Sequence, residues 1–503
     1  MQAEAKMSDN VSNTSATHVD VLIVGAGLSG IGAGYHLQKN CPGKSYAILE
    51  GREAIGGTWD LFRYPGIRSD SDMYTLGYAF KPWTEAKAIA DGPSILSYVR
   101  QTAAENGIEQ HIRFNTLVKA AAWSTEEALW TVTVEKGGVV ETYTCAFLFL
   151  CGGYYSYRGG YEPAFPGREA FKGRVVHPQA WPADLDYAGK KVVVIGSGAT
   201  AVTLVPEMAK TAAHVTMLQR SPTYVVSRPA EDRFANGLRK WLPAKLAYGL
   251  VRWRNVMFQL WFYRMARKNP GQVKKAILDM VRSELGPDYD VGTHFTPSYN
   301  PWDQRLCLVP DADLFAAIKN GKAEVVTDHI ETFTEGGIKL KSGKTLEADV
   351  IVTATGLNLE VFNGMAISVD GQRIEAGKTF AYKGMMYSGV PNLASSFGYT
   401  NASWTLKCDL TCEYVSRVLN HMTRTGMRQA TPRLDDPDMA PAPYLDFSSG
   451  YVTRAMDKFP KQGTKAPWRL DQNYAVDLMN LRYSRIDDGV LEFSNPAKMK
   501  AAA

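Results

Sequence analysis

The chain has 503 residues, a length typical of roughly two to four domains rather than of one core. Its net charge of +5 is small for this length and does not indicate a nucleic-acid partner. Six cysteines lie scattered without paired spacing, which argues against a disulfide framework and against a zinc or other metal site. We therefore expect a globular protein of a reducing compartment, the cytoplasm.

The first 17 residues are polar and lack the apolar centre that a secretory signal requires. We predict that they form a disordered leader. No apolar run in the chain approaches the roughly 18–20 residues of a membrane-spanning helix.

The first predicted element combines a buried strand with a glycine loop. Residues 18–24 read HVDVLIV, and GAGLSG follows directly, which predicts a parallel strand, a tight turn and the start of a helix. Gly25 makes the turn, Gly27 lets the backbone approach a pyrophosphate, and Gly30 allows the helix to pack closely on the strand. The next strand, SYAIL, ends in Glu50, whose carboxylate can accept hydrogen bonds from ribose hydroxyls.

A second copy of this pattern lies near the middle of the chain, where residues 190–201 read KKVVVIGSGATA. The strand that follows places Arg220 where the first copy has Glu50. A cation at that position, with Ser221 beside it, favours the 2′-phosphate of NADP over a free ribose. The residues predicted to line the pyrophosphate at the start of the second helix are Ser197, Gly198, Ala199, Thr200 and Ala201.

Each copy ends on a similar strand, FLFLCGGYY at 147–155 and VIVTATGLN at 350–358. We take these as the places where the chain passes between two domains. The predicted fold is therefore α/β, with two Rossmann-like dinucleotide-binding domains. The predicted boundaries are 18–155 with 358–503 for the first domain, and 156–357 for the second, with a helical insertion at about 235–290. An acidic ribose contact followed by an inserted NADP module resembles two-dinucleotide flavoproteins, which implies FAD in the first site.

Three classes of protein fit two dinucleotide sites. A disulfide reductase needs a redox cysteine pair beside the flavin, and residues 51–78 contain no cysteine, so this class is excluded. A flavin monooxygenase uses NADPH to reduce FAD and then activates oxygen. The third class is a sensor that binds flavin and NADP without chemistry, because a fold does not dictate a function.

Two long motifs bear on this choice. Residues 171–182, FKGRVVHPQAWP, resemble the signature of type I Baeyer–Villiger monooxygenases, carried here by Phe171, Gly173, His177 and Trp181. GGTWDLFRYPGIRSD, which ends at Asp70, is similar to the second signature of that family. NPWDQRLCLVP and GYTNASWTLK are similar to stretches of its ethionamide-activating subgroup.

The resemblance implies an enzyme that uses FAD, NADPH and O2 to insert oxygen next to a ketone carbonyl, and that can also oxygenate thioethers. The related N- and S-oxygenases typically carry another aromatic residue where Trp181 stands, so Trp181 favours the Baeyer–Villiger branch. An N- or S-oxygenase without ketone activity remains the alternative enzyme.

The resemblance also assigns individual residues. Arg305 is implied as the cation that stabilises the negative charge developing during oxygen transfer, and Asp70 as the acid that pairs with it and positions it. Residues implied at FAD are Gly57, Thr58, Trp59, Asp70 and Val118, and residues implied at NADP are Arg68 and Ser69.

The signature segment 171–182 contains a glycine and two prolines, so it cannot be a helix interior or a central strand. We predict a connector of fixed shape that Phe171, His177 and Trp181 anchor between two moving domains. For His177 we favour a hydrogen bond that fixes the chain over direct proton transfer.

Residues 238–285 have a helical pattern and are rich in aromatic and basic side chains. We favour a helical insertion whose apolar face packs on the protein and helps to shape the substrate entrance. The alternative is a weak peripheral contact with anionic lipid. The residues concerned are Trp241, Trp253, Trp261, Arg252, Arg254, Arg264, Lys274 and Lys275.

Overall fold

The structure is a computed structural model that describes residues 16–445 and 447–496. Most of the predicted leader, residues 1–15, lies outside the described residues, and Thr17 already belongs to the first strand. The strands are β1 (Thr17–Val24), β2 (Tyr46–Leu49), β3 (Ile112–Arg113), β4 (Thr116–Ser124), β5 (Leu129–Lys136), β6 (Val139–Leu150), β7 (Tyr155–Gly160), β8 (Arg174–Val176), β9 (Lys191–Ile195), β10 (His214–Gln219), β11 (Val225–Arg228), β12 (Cys307–Pro310), β13 (Ala323–Thr327), β14 (Ile330–Thr334), β15 (Gly337–Leu340), β16 (Thr345–Glu347), β17 (Val350–Thr353), β18 (Leu357–Leu359), β19 (Ala366–Val369), β20 (Gln372–Arg373), β21 (Ala381–Tyr382), β22 (Met386–Tyr387), β23 (Leu393–Ser395), β24 (Gln429–Pro432), β25 (Pro441–Pro443), β26 (Lys461–Gly463) and β27 (Leu491–Ser494).

The α-helices are α1 (Leu28–Asn40), α2 (Thr58–Leu61), α3 (Met73–Leu76), α4 (Gly92–Glu105), α5 (Ala199–Met208), α6 (Arg233–Leu238), α7 (Ala244–Lys268), α8 (Pro270–Leu285), α9 (Val291–Phe295), α10 (Asp313–Lys319), α11 (Trp404–Thr425), α12 (Gly450–Thr453) and α13 (Tyr474–Leu478). Short 3-10 turns lie at Glu109–His111, Arg168–Ala170, Pro178–Ala180, Phe362–Gly364, Ala376–Lys378 and Met456–Lys458, and a π-helical turn covers Met479–Tyr483.

The larger sheet takes strands from both ends of the chain. Its order is β20-β19-β4-β5-β6-β1-β2-β3, and β23 also pairs with β6. Strand β1 lies parallel to β2 and β6, and its residues Val21, Leu22 and Ile23 are fully buried, as a run of branched apolar residues in a central parallel strand requires. Helix α1 packs against this sheet and against α11 from the late part of the chain.

The smaller sheet has five parallel strands in the order β13-β10-β9-β17-β8. The chain leaves the first sheet after β6 and returns to it after β17. Strands β7 and β18, which follow β6 and β17 respectively, pair antiparallel with each other. The two passages of the chain therefore run side by side as a two-stranded ribbon. The domain boundaries given above stay a prediction.

The signature segment 171–182 differs from the predicted connector. Its residues 174–176 form β8, the edge strand of the smaller sheet. A proline beside an edge strand does not remove a hydrogen bond between strands. The ring of Phe171 is buried among residues of that sheet, and Trp181 packs on the core of the same domain. Gly173 is required because a Cβ atom there would lie 2.3 Å from the carbonyl oxygen of Asp349. The segment thus belongs largely to one domain.

The helical region after β11 consists of α6 to α9. One face of α7 is buried, with Tyr248, Val251 and Val256 packed into the larger core next to α3. Its other face carries exposed aromatic side chains, including Trp261. Among the helices that the structure describes, none has the length and apolar character needed to cross a membrane.

Candidate active site

The first glycine loop is closely packed against the strands around it. Gly25 has a φ of +101°, and a Cβ atom there would lie 2.7 Å from the Cα of Gly152. A Cβ atom on Gly30 would lie 1.8 Å from the carbonyl oxygen of Gly25, so no other residue fits without moving the backbone. Gly27 is the N-cap residue of α1 and has no side chain that could accept a hydrogen bond from the first N–H groups of the helix. The first N–H groups of α1 therefore stay available to an anion.

Glu50 lies at the end of β2, directly beside this loop. Its carboxylate accepts hydrogen bonds from the backbone N–H of Ala26 at 2.7 Å and from that of Arg52 at 2.9 Å. Burial raises the pKa of Glu50, although both N–H donors favour its charged form. The side chain is thereby fixed at the edge of the cavity described below.

The second glycine loop, between β9 and α5, is closely packed at Gly196, where a Cβ atom would lie 2.4 Å from the carbonyl oxygen of Ala354, but it is open at Gly198. Gly198 is the N-cap of α5, again without a side-chain cap, and a Cβ atom on it would meet no heavy atom within 4 Å. The hydroxyl of Ser197 donates to the carbonyl oxygen of Ser221 at 3.0 Å, which joins the loop to the end of β10. Arg220 and Ser221 are both exposed, and Ala201 lies on the buried side of α5.

One cavity of about 610 Å³ runs from the first glycine loop towards the start of α5. Its volume falls within the roughly 300–1,000 Å³ of small-molecule and cofactor sites. The predicted site residues that line it are Gly25, Gly27, Glu50, Gly57, Thr58, Trp59, Arg68, Ser69, Asp70, Val118, Ala199, Thr200 and Arg305.

The other predicted site residues do not line this cavity. Gly30 and Ala201 are buried within α1 and α5, while Arg220 and Ser221 are exposed directly after β10. The signature residues Phe171, Gly173, His177 and Trp181, and the loop residues Ser197 and Gly198, are also outside its lining.

Arg305 and Asp70 meet although 235 positions separate them in the chain. Arg305 precedes β12 and Asp70 precedes α3; the Nε atom of Arg305 lies 3.1 Å from a carboxylate oxygen of Asp70. The Asp70 carboxylate raises the pKa of Arg305 above its already high value, more than burial lowers it. Arg305 is therefore a fixed cation at any working pH.

Two tyrosines beside this pair were not predicted from the sequence. Tyr154 and Tyr155 line the cavity, and their hydroxyl oxygens are 3.2 Å apart. The ring of Tyr154 stacks on that of Trp404, with centroids 5.2 Å apart. Both tyrosines follow β6 at the carboxyl end of a parallel strand. That position is where ligands of such sheets bind, so it could have identified them.

Arg68 has a partner that the sequence did not indicate, since its guanidinium forms an ion pair with Asp313 in α10. This contact orients Arg68 between the two sheets. Its Nε atom is buried and has no hydrogen-bond partner among the described residues, although Arg68 lines the cavity. A buried donor of this kind is suited to an anionic ligand.

His177 makes two hydrogen bonds. Its Nε2–H donates to the carbonyl oxygen of Gly356 at 3.1 Å, and its Nδ1 accepts from the N–H of Gln179 at 3.2 Å. Burial lowers the pKa of His177. A neutral ring with both nitrogens used has no free atom for proton transfer, which favours the structural role.

The residues present fit a dinucleotide. The uncapped start of α1 offers N–H groups to a pyrophosphate. Gly27 has no side chain, and even a Cβ atom there would lie only at ordinary contact distance from Gly57, so the loop is not crowded at this point. Glu50 supplies an acceptor for ribose hydroxyls at the edge of the cavity. In the described residues no cluster of three or more His, Cys, Asp or Glu could hold a metal ion.

Two family models match the chain. Residues 87–285 match the flavin-binding monooxygenase-like family, and residues 23–88 match the NAD(P)-binding Rossmann-like domain. The second match covers the first glycine loop and Asp70.

A relative of the chain is the FAD-containing monooxygenase EthA of Mycobacterium tuberculosis, which is 56% identical over 478 residues, or 95% of this chain and 98% of the relative. Two solved structures share the fold. A cyclohexanone monooxygenase has a TM-score of 0.72 at 22% identity and covers 84% of this chain and 91% of its own. A steroid monooxygenase bound to NADP has a TM-score of 0.71 at 24% identity and covers 84% and 88%.

Proposed function

The chain belongs to the FAD-containing monooxygenases of the flavin-binding monooxygenase-like family, and from that premise we propose that it is a Baeyer–Villiger monooxygenase, which converts ketones into esters or lactones. It is a monooxygenase that uses FAD and NADPH. The ketone reaction, with sulfoxidation of thioethers as a side reaction, is the proposed part.

The observation that carries the proposal is the pair formed by Arg305 and Asp70. Oxygen transfer to a carbonyl places negative charge on the reacting oxygens, and a fixed guanidinium stabilises this charge in a site that excludes water. Asp70 keeps Arg305 in place through the 3.1 Å contact to Nε. The terminal guanidinium nitrogens of Arg305 thereby remain available to a substrate carbonyl oxygen.

We assign the first glycine loop with Glu50, Gly57, Thr58, Trp59 and Val118 to FAD. When bound, FAD supplies electron transfer and the activation of oxygen. The chain itself contributes the N–H groups at the start of α1, the carboxylate of Glu50 and the apolar wall at Trp59, which orient the flavin and exclude water.

We assign the second glycine loop to NADPH. The start of α5 would bind the pyrophosphate, and Arg220 with Ser221 the 2′-phosphate. Arg68 and Ser69 line the cavity between the loops, so we assign them to the reactive end of the coenzyme.

An N- or S-oxygenase without ketone activity is the second candidate, because the family premise covers both reactions. It requires no cation at a carbonyl, so Arg305 beside Asp70 favours the ketone reaction.

Product analysis distinguishes the two candidates. Purified holoenzyme is incubated with NADPH, O2 and a panel of short aliphatic, cyclic and aryl ketones and thioethers. Ester or lactone formation is the expected result. Sulfoxide formation with no ester from any ketone would overturn the ketone proposal and support the second candidate.

A further inference from the structure

The exposed face of α7 forms a continuous apolar surface. Residues three or four positions apart share one face of a helix. The members of this face, which we name the α7 stripe, are Leu246, Leu250, Trp253, Met257, Phe258 and Trp261. Met257 and Trp261 are 56% and 57% exposed, so neither is part of the core.

Exposed apolar side chains are concentrated here. Fifteen large hydrophobic residues are exposed in the described part of the chain, and eight of them lie between Phe234 and Trp261. The turn at Met479–Tyr483 adds Met479 and Tyr483 nearby, since Trp253 contacts the ring of Tyr474 in the preceding helix. Such clustering on one face indicates a binding surface rather than scattered exposure.

The segment that carries the α7 stripe is basic. Residues 233–278 hold eleven of the 56 basic residues of the chain and none of its 51 acidic residues. Three of these bases, Arg252, Arg254 and Arg267, pair with aspartates of other segments. Exposed bases stand at both ends of the stripe, with Lys240 and Lys245 before it and Arg264 and Lys268 after it. Two copies of the chain facing each other through this surface would repel.

We propose that the α7 stripe binds the surface of a bilayer containing anionic lipid. Tryptophan and long apolar side chains bounded by lysine and arginine are suited to the region between lipid headgroups and acyl chains, where the bases contact the headgroups. The helix lies along the bilayer surface and does not cross it.

The docked orientation has a consequence for the substrate, and this step rests on the proposed function. Phe258 of the stripe also lines a second cavity of about 120 Å³, together with Phe262, Asp70 and Arg305. An apolar ketone dissolved in the lipid would reach the ion pair along α7. The substrate class expected from this geometry is an apolar ketone that partitions into lipid.

Vesicle sedimentation of the full-length holoenzyme tests the docking without any substrate. We expect binding to phosphatidylglycerol–phosphatidylcholine vesicles at low salt, little binding to pure phosphatidylcholine, and loss at high salt because the charges are screened. The triple variant Leu250→Gln, Met257→Gln, Trp261→Gln is expected to bind at least roughly tenfold more weakly. The matched control Val139→Thr, Val140→Thr changes exposed apolar residues elsewhere and is expected to bind like wild type.

A second pair of variants tests the charges and leaves the stripe intact. Lys240→Glu with Lys268→Glu is expected to weaken binding by roughly tenfold or more, while Lys136→Glu with Lys341→Glu has little effect. Flavin absorbance checks that each variant is folded.

No binding by wild type, or equal binding by stripe and control variants, would overturn the proposal. So would a wild-type dimer that the stripe variant converts to a monomer, because the surface would then bind a second copy. Docking without any ester product would leave it standing and contradict only the proposed reaction.

Discussion

The two glycine loops share a sequence pattern, but the protein encloses them to different degrees. In the first loop Gly30 touches the backbone of Gly25, and Glu50 is buried and held by two N–H donors. In the second loop Gly196 is packed as closely as Gly25, but Ala201 stands in the place of Gly30, Gly198 has open space around it, and Arg220 is exposed. This difference agrees with the proposed assignment of a cofactor that stays bound at the first loop and of a coenzyme that enters and leaves at the second.

Replacing Gly30 is expected to have the largest effect on flavin binding and stability. In Gly30→Ala the Cβ atom would stand 1.8 Å from a carbonyl oxygen, so the loop must move at a cost of about 3 kcal/mol or more. We expect loss of bound flavin and a lower melting temperature. Flavin absorbance per protein and thermal unfolding measure both.

The comparison variant is Gly198→Ala in the second loop, at the position that corresponds to Gly27, where the added Cβ atom meets nothing within 4 Å. It is expected to retain flavin and stability. Full flavin content in Gly30→Ala would contradict the account of the first loop.

The charge of Glu50 is the next feature to remove. In Glu50→Gln only one side-chain oxygen remains to accept from the N–H groups of Ala26 and Arg52, so one donor loses its partner at a cost of about 1–3 kcal/mol. We expect flavin to dissociate roughly tenfold to hundredfold more readily, measured by flavin retained after dialysis. Unchanged retention would show that Glu50 does not support the flavin site.

Arg220 tests the second loop in the same way. Arg220→Gln would remove the charge-assisted bond proposed to the 2′-phosphate, which is expected to raise the KM for NADPH by roughly tenfold to hundredfold and to leave flavin content unchanged. Arg220→Lys keeps the charge, so its KM for NADPH should lie between those of wild type and Arg220→Gln. An equal KM for NADPH in all three proteins would place the 2′-phosphate elsewhere.

The smallest expected effect concerns His177, where the two passages of the chain meet. Because burial lowers its pKa in the folded protein, the unfolded chain binds the proton more tightly. The stabilising effect of neutral His177 is complete above the unfolded pKa of about 6.5 and is lost as the pH falls below it. Between pH 7.5 and 5.5 we expect the melting temperature of wild type to decrease by more than that of His177→Gln. Identical slopes would contradict this account.

Local physical rules were enough to predict some of these features. The glycine at position 25 and the acid at position 50 follow from how a strand, a turn and a phosphate fit together. Arg305 and Asp70 came only from the resemblance, because nothing local connects residues 235 positions apart.

Other features could not be predicted, for a related reason. Strand β8 needs β17 as a partner about 175 residues later, so its segment looked like an irregular connector. For α7, periodicity shows that the helix has distinct faces but not which face the rest of the protein covers.

Oxygen transfer is proposed to take place at the pair of Arg305 and Asp70 between the two loops. The most direct test measures flavin reduction and ester product separately in wild type and Arg305→Ala, with a ketone that wild type converts. We predict that NADPH still reduces the flavin while ester formation falls by roughly a hundredfold to a thousandfold. An ester yield equal to that of wild type would contradict the account.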